Sequence, residues 1–105
     1  MVIMMVMAEI SVTPIGTGRT GVSFYVARAL ESISGMNNLK YELNPMGTVL
    51  ESESIGVIMD ASMRMVEALH NLGVERVGVI LKIDSRRDKS ATMAEKVGSV
   101  YRQMG

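Results

Sequence analysis

The sequence predicts an α+β fold: a ferredoxin-like βαββαβ sandwich with an antiparallel sheet and an extra C-terminal helix. Three observations carry this reading. The apolar periodicities run in the order β-α-β-β-α-β, followed by a terminal helix. Only Asn44-Pro45 separates the second strand from the third, so these two form a hairpin rather than flanking a crossover helix. The 105 residues suffice for one core and not for two, so residues 1–105 read as a single ferredoxin-like domain.

Strand one is expected over Val2–Thr13. Val6, Ala8, Ile10 and Val12 share one face, and Met5, Met7, Glu9, Ser11 and Thr13 share the other. Pro14 and a glycine loop end it. Helix one spans Thr20–Ser34, with Thr20 as N-cap and Val22, Val26, Ala29, Leu30 and Ile33 as its buried stripe; Gly35 stops it. Strand two covers Leu39–Leu43 and strand three Met46–Glu53. Ser54 caps helix two, which runs to Leu72 with Ile55, Ile58, Met59, Met65, Val66, Leu69 and Leu72 inward, and Gly73 terminates it. Strand four, Val74–Asp84, sets Val77, Val79, Leu81 and Ile83 against Gly78, Ile80, Lys82 and Asp84. The last helix, Lys89–Met104, is capped by Asp88 or Ser90 and carries Met93, Val97, Val100, Tyr101 and Met104.

Two helices cover only one face of such a sheet. Strand one is apolar on both faces over Met1–Ala8, and Ile80 lies away from Leu81. An apolar face of that size is covered in oligomers, so the expected partner is a second copy, in a homodimer or a dimer-of-dimers tetramer. The alternative is a terminal helix folded across the open face.

Composition excludes several classes of function. Eleven basic and eleven acidic residues cancel, leaving no field to attract nucleic acid. Tryptophan is absent, and Phe24, Tyr25, Tyr41 and Tyr101 are too few for a base-stacking platform. The lack of cysteine removes disulfides, thiol catalysis and zinc-thiolate sites, and one histidine, His70, argues against a histidine metal site. The apolar run Met1–Ala8 has no basic leading segment and is far short of a membrane span, so a cytoplasmic protein with no membrane partner is expected.

Gly16, Gly18 and Gly21 spell G-x-G-x-x-G between a strand and a helix, and Glu42 lies where a ribose-binding acid is sought. A dinucleotide fold, however, needs its second strand to lead into another helix, and here it turns into a hairpin. The loop therefore reads as a flexible strand-to-helix connection. Binding of a small anion at Gly18, Arg19 and Thr20, with Arg86 from the Ile83–Asp88 segment, stays open as the basis of a regulatory anion-binding module. The other candidate is the stretch Met46–Glu53. A polar cluster of Glu9, Ser11, Thr13, Thr48, Glu51 and Lys82 on an apolar sheet either fixes a small polar or cationic ligand or forms an ion pair between subunits. No nucleophile, base and orienting group assemble, so neither an enzyme nor a resident cofactor or metal is expected.

The segments Glu9–Gly16, Met46–Glu51 and Arg76–Arg86 together resemble the YkoF-like thiamine-binding protein family of archaea, bacteria and yeast. The resemblance covers nearly the whole chain. It implies ferredoxin-like subunits joined into dimers and tetramers. It also implies thiamine or its pyrimidine moiety held at subunit contacts, without catalysis. Glu51, with Thr48 and Ser11, would then suit the thiazolium and the aminopyrimidine. Ser52 stands where family members commonly have glycine.

Overall fold

A computed structural model describes residues 4–89 and 91–105. The elements are β1 (Val6–Ile15), α1 (Ser23–Ile33), β2 (Lys40–Asn44), β3 (Gly47–Ser52), α2 (Ile55–His70), β4 (Arg76–Ser85) and α3 (Met93–Met104). The strands pair antiparallel in the order β2-β3-β1-β4. Each of the first two helices carries the chain past a neighbouring strand, which is the ferredoxin-like arrangement with an added α3.

Strand alternation builds the core as expected. Val6, Ala8, Ile10 and Val12 of β1 are buried, and the register sets Leu50 of β3 and Ile83 of β4 on either side of Ala8. From the helices come Ala29 and Ile33 of α1 and Ile58, Ala61, Met65 and Leu69 of α2. The α2 stripe differs from the expected one: Ile55, Met59 and Leu72 are exposed, while Ala61 and Ser62 are buried. Ala61 and Ser62 join Ile58, Met65 and Leu69 on the buried face, where α2 packs against three strands and α1. Tyr41 and Leu43 share the helix face but remain exposed, since β2 lies at the edge beyond the helices.

Several boundaries move for physical reasons. β1 passes through Pro14 to Ile15, because beyond Ile10 only β4 flanks it and a proline without an N–H is tolerated at an edge. α1 begins at Ser23, with Val22 rather than Thr20 in the N-cap position. Ser54 caps α2 as expected, its hydroxyl accepting from Val57 N, and Ser52 Oγ accepts from Ser54 N in the preceding turn. α3 starts only at Met93, because Thr92 and Glu95 form a reciprocal capping box. Asp88, an expected cap, instead pairs with Arg86; Ser90, Val2 and Ile3 lie outside the described residues.

α3 docks on the sheet face opposite the other helices, but only by its first turns. Glu51 Oε2 accepts from Met93 N at 3.4 Å, and Lys96 pairs with Asp84. No residue of α3 is buried, and Ile80 on the same sheet face is 73% exposed, so the open face is not covered within the described chain.

Two predictions follow from this packing. Leu50→Ala should cost about 2–5 kcal/mol in urea unfolding, the range for emptying a fully buried leucine site. Met46→Ala, at an exposed turn, should stay within about 0.5 kcal/mol. The second concerns pH. Hydrogen bonding to Lys96 lowers the Asp84 carboxyl below its ordinary 3.8, and Arg86 lowers Asp88 to about 2. Depressed carboxyls stabilise the folded state above their unfolded value, and the contribution disappears as pH falls through the folded value. NMR titration should therefore show the start of α3 and residues 86–89 changing between about pH 4 and 2, with no change from these groups between about pH 5 and 8. Lys96→Met should return Asp84 toward the usual carboxylate range.

Candidate functional site

The site arises from a mismatch in strand length. β1 pairs with β3 only as far as Ile10, opposite Thr48, yet continues to Ile15. The edge beyond Ile10 is flanked by the β2–β3 hairpin and the first turns of α1. Between them lies a groove of about 710 Å³, within the range of small-molecule pockets. Ser11 and Thr13 of β1, Thr48 of β3, Asn44 of the hairpin and Val22 and Val26 of α1 line it. No charged side chain contributes to the lining. The groove can therefore hold an uncharged, partly apolar group and orient it through polar groups of the β1 edge, the hairpin and Thr48.

Gly47 sets how closely the hairpin approaches. A Cβ there would sit 2.9 Å from the Ile10 carbonyl oxygen, so any larger residue must push the hairpin away from β1. The next residue, Thr48, is consequently held against the groove and is only 2% exposed. Asn44 fixes the turn: its Oδ1 accepts from Met46 N at 2.8 Å, and its Nδ2 donates to Glu9 Oε2 at 3.2 Å. The Glu9 carboxylate is thereby tied to the hairpin wall.

Of the six residues expected to form one cluster, Glu9, Ser11, Thr13, Glu51 and Lys82 share the open sheet face, and Thr48, opposite Ile10, lies on the helix face. Ser11, Thr13 and Thr48 line the groove, and Glu9 adjoins it through Asn44. Glu51 is three positions from Thr48, an odd spacing that puts the two on opposite sheet faces. It is 3% exposed beneath α3, where its carboxylate meets the N–H that opens the helix, a favourable position for negative charge. Cavities of about 440 and 550 Å³ flank it. Lys82 faces Glu9 across the β1–β4 pair, and none of the four ion pairs among the described residues contains either.

The anion set also separates. The glycine loop follows the end of β1 that pairs with Arg76, whereas Arg86 follows the opposite end of β4, a strand length of about 30 Å away. Arg86 is moreover occupied by Asp88. Gly16 and Gly18 take positive φ of 82° and 75°, and nothing crowds the space a Cβ would fill, so here glycine serves the turn and not a close approach. His70 Nδ1 lies 2.8 Å from the Val74 carbonyl and closes the α2–β4 connection. Among the described residues no group of three or more His, Cys, Asp or Glu is arranged for a metal ion, and no helix is long and apolar enough to cross a membrane. Asn44 is the site residue that the sequence reading treated only as a turn; its signal was the Asn-Pro pair between strands.

Comparison with known proteins agrees with this architecture. The family model described as thiamine-binding protein matches residues 8–101. A UPF0045 protein of Methanothermobacter thermautotrophicus is 43% identical over 96 residues, covering 91% of this chain and 96% of the relative. The crystal structure of the hypothetical protein MJ1052 of Methanocaldococcus jannaschii superposes with a TM-score of 0.83 at 39% identity, covering 92% of this chain and 96% of that one. A Thermotoga maritima structure, named as a candidate thiamine biosynthesis/salvage protein, has a TM-score of 0.72 at 29% identity, covering 91% and 98%. With nearly its whole length matched, the chain belongs to the thiamine-binding protein family.

Proposed function

We propose that this protein is a non-enzymatic, oligomeric binding protein that holds thiamine, or a related pyrimidine, in the groove between β1, the β2–β3 hairpin and α1. The observation that carries the reading is the groove of about 710 Å³ at the free edge of β1, lined by Ser11, Thr13, Asn44 and Thr48 and by no charged residue. An aminopyrimidine is flat and neutral, with donors and acceptors on its edge. It loses little on leaving water if hydroxyls and amides replace its hydration, and much if it faces an unpaired charge. Glu9, held at the hairpin wall by Asn44, offers a carboxylate to the cationic ring of thiamine. Membership of a thiamine-binding family supports the choice of ligand.

The oligomer is argued from what the chain leaves uncovered. Val97, Val100, Tyr101 and Met104 form an apolar stripe on α3 that nothing in the described chain buries, and Ile80 projects from the same open sheet face. A homodimer or a dimer of dimers would cover both.

Calorimetric titration with thiamine should give saturable binding, and Thr48→Val should weaken it roughly tenfold, the worth of one hydrogen bond, without loss of thermal stability. No heat and no thermal shift at millimolar thiamine would remove thiamine as the ligand. Light scattering at micromolar concentration should report a dimer or tetramer, and Val100→Asp should shift it toward monomer; a wild-type monomer would refute the assembly.

A further inference from the structure

We propose that β4 pairs with the β4 of a second copy of the chain, antiparallel about a two-fold axis at Ile80, so that the two four-stranded sheets join into one continuous sheet. This rests on the reading of the chain as an oligomer and goes beyond it by naming the strand that meets its copy and the register in which it does so.

The first observation is the outer edge of β4. The strand is 10 residues long and pairs with β1 at every position, without a bulge. Among the described residues no strand lies on its other side, so half of its backbone N–H and C=O groups have no sheet partner. Edges are ordinarily blunted by shortness, by proline or by a bulge. β2, the other edge, has only 5 residues and ends at the Asn44-Pro45 turn. β4 has none of these protections. It carries Val77, Val79, Leu81 and Ile83 on its helix face, yet no residue of the strand is buried. Val79 is 44% exposed on that face and Ile80 73% exposed on the other. Both faces of β4 thus keep apolar surface in water beside an unpaired backbone.

The second observation is the order of charges along the strand, which selects the partner and the register. When a strand pairs antiparallel with its own copy, directly opposite residues share a sheet face, and one residue sits on the axis facing itself. With Ile80 on the axis, Arg76 faces the partner's Asp84, and Asp84 faces the partner's Arg76. Lys82 faces the partner's Gly78, where the missing side chain leaves room for its stem. On the helix face Leu81 meets the partner's Val79, and Ile83 meets the partner's Val77. Every residue from Arg76 to Asp84 is matched, and no like charges oppose.

Neighbouring registers fail. An axis at Val79 sets Arg76 against the partner's Lys82. An axis at Leu81 sets Arg76 against the partner's Arg86 and leaves Asp84 facing the partner's Gly78. Opposed like charges are destabilising in a sheet, whereas opposite charges contribute. The side chains are available for this pairing. Arg76 is exposed and belongs to none of the four ion pairs among the described residues. Asp84 meets Lys96 through Oδ2, and its half-exposed carboxylate can accept from a second cation.

The test exploits a chain that contains no cysteine. Wild type is first measured by light scattering at micromolar concentration. Ile80→Cys, in the full chain with oxidised glutathione, should then form a disulfide-linked dimer. Residues facing themselves across an axis lie within the roughly 7 Å between Cα atoms that a disulfide allows, and moving the axis by one residue would take them beyond it. Lys82→Cys, which faces a different residue, should not cross-link, nor should Met63→Cys, which is 63% exposed on α2. Arg76→Glu should weaken association roughly ten- to a hundredfold on dilution, because it opposes two pairs of carboxylates, and Arg76→Lys should keep it. A wild-type oligomer in which Ile80→Cys links no faster than Met63→Cys, or in which Arg76→Glu leaves association unchanged, overturns the β4 pairing and leaves the oligomer reading standing. A wild-type monomer overturns both.

Discussion

The rest of the structure depends on the register of β1. This central strand pairs with β3 on one side and β4 on the other, and both registers place its even-numbered residues over the helices. A slip of one residue against either neighbour would send Ala8 and Ile10 to the open face and Met7 and Glu9 into the core. The register also decides where function can sit. Because β3 begins at Gly47, opposite the middle of β1, its pairing runs out at Ile10, and the remainder of β1 has a neighbour only in β4. A strand edge left open in the middle of a sheet is a hazard in most proteins. Here the hairpin and the first turns of α1 stand on either side of it, and the gap between them is the groove.

The Gly47–Glu51 segment shows how alternation assigns chemistry. Gly47 allows the hairpin to close on the Ile10 carbonyl, and Thr48 enters the groove. Leu50 fills the core two residues later on the same face. Glu51 returns to the opposite face and receives the first N–H of α3. The segment thus serves hairpin closure, groove lining, core packing and helix docking in turn. Its two polar members, Thr48 and Glu51, act on different sides of the sheet. A substitution at Glu51 would act first on how α3 sits, and only a substitution at Thr48 would touch the groove directly.

Strand and helix order, the face assignment of every core position on β1 and β4, and the Ser54 cap were legible in the sequence because each depends on local periodicity or one hydrogen bond within a few residues. The glycine motif was legible as well, in the sense that the hairpin excluded a dinucleotide fold. The site was half legible. Thr48 and Glu51 attract attention as polar residues in an apolar strand, but their odd spacing already forbids a shared face, and grouping them ignored it. Asn44 could not be ranked above an ordinary turn residue, because its contact with Glu9 joins positions 35 apart in sequence. The start of α3 turned on a competition between caps. Thr92 with Glu95 supplies two reciprocal bonds, whereas Asp88 gains more from a bidentate arginine, and composition alone does not rank those outcomes.

The character of the rim would couple closure of the groove to the proposed association of subunits. Val22, Leu43 and Met46, which border the groove on its helix and hairpin sides, are exposed, Met46 by 84%. Exposed apolar residues around a cavity cost little singly, yet together they make the rim the part of this surface that gains most from being covered. A second surface laid on that rim would remove it from water and enclose whatever the groove holds, strengthening every hydrogen bond made to Ser11 and Thr48 by excluding competing water. By linkage, a ligand that fills the groove would favour the covered state by the same free energy. On the proposed reading, the free β1 edge, the apolar rim and the unburied stripe of α3 would be parts of one arrangement, in which a small domain leaves its groove open and assembly completes it.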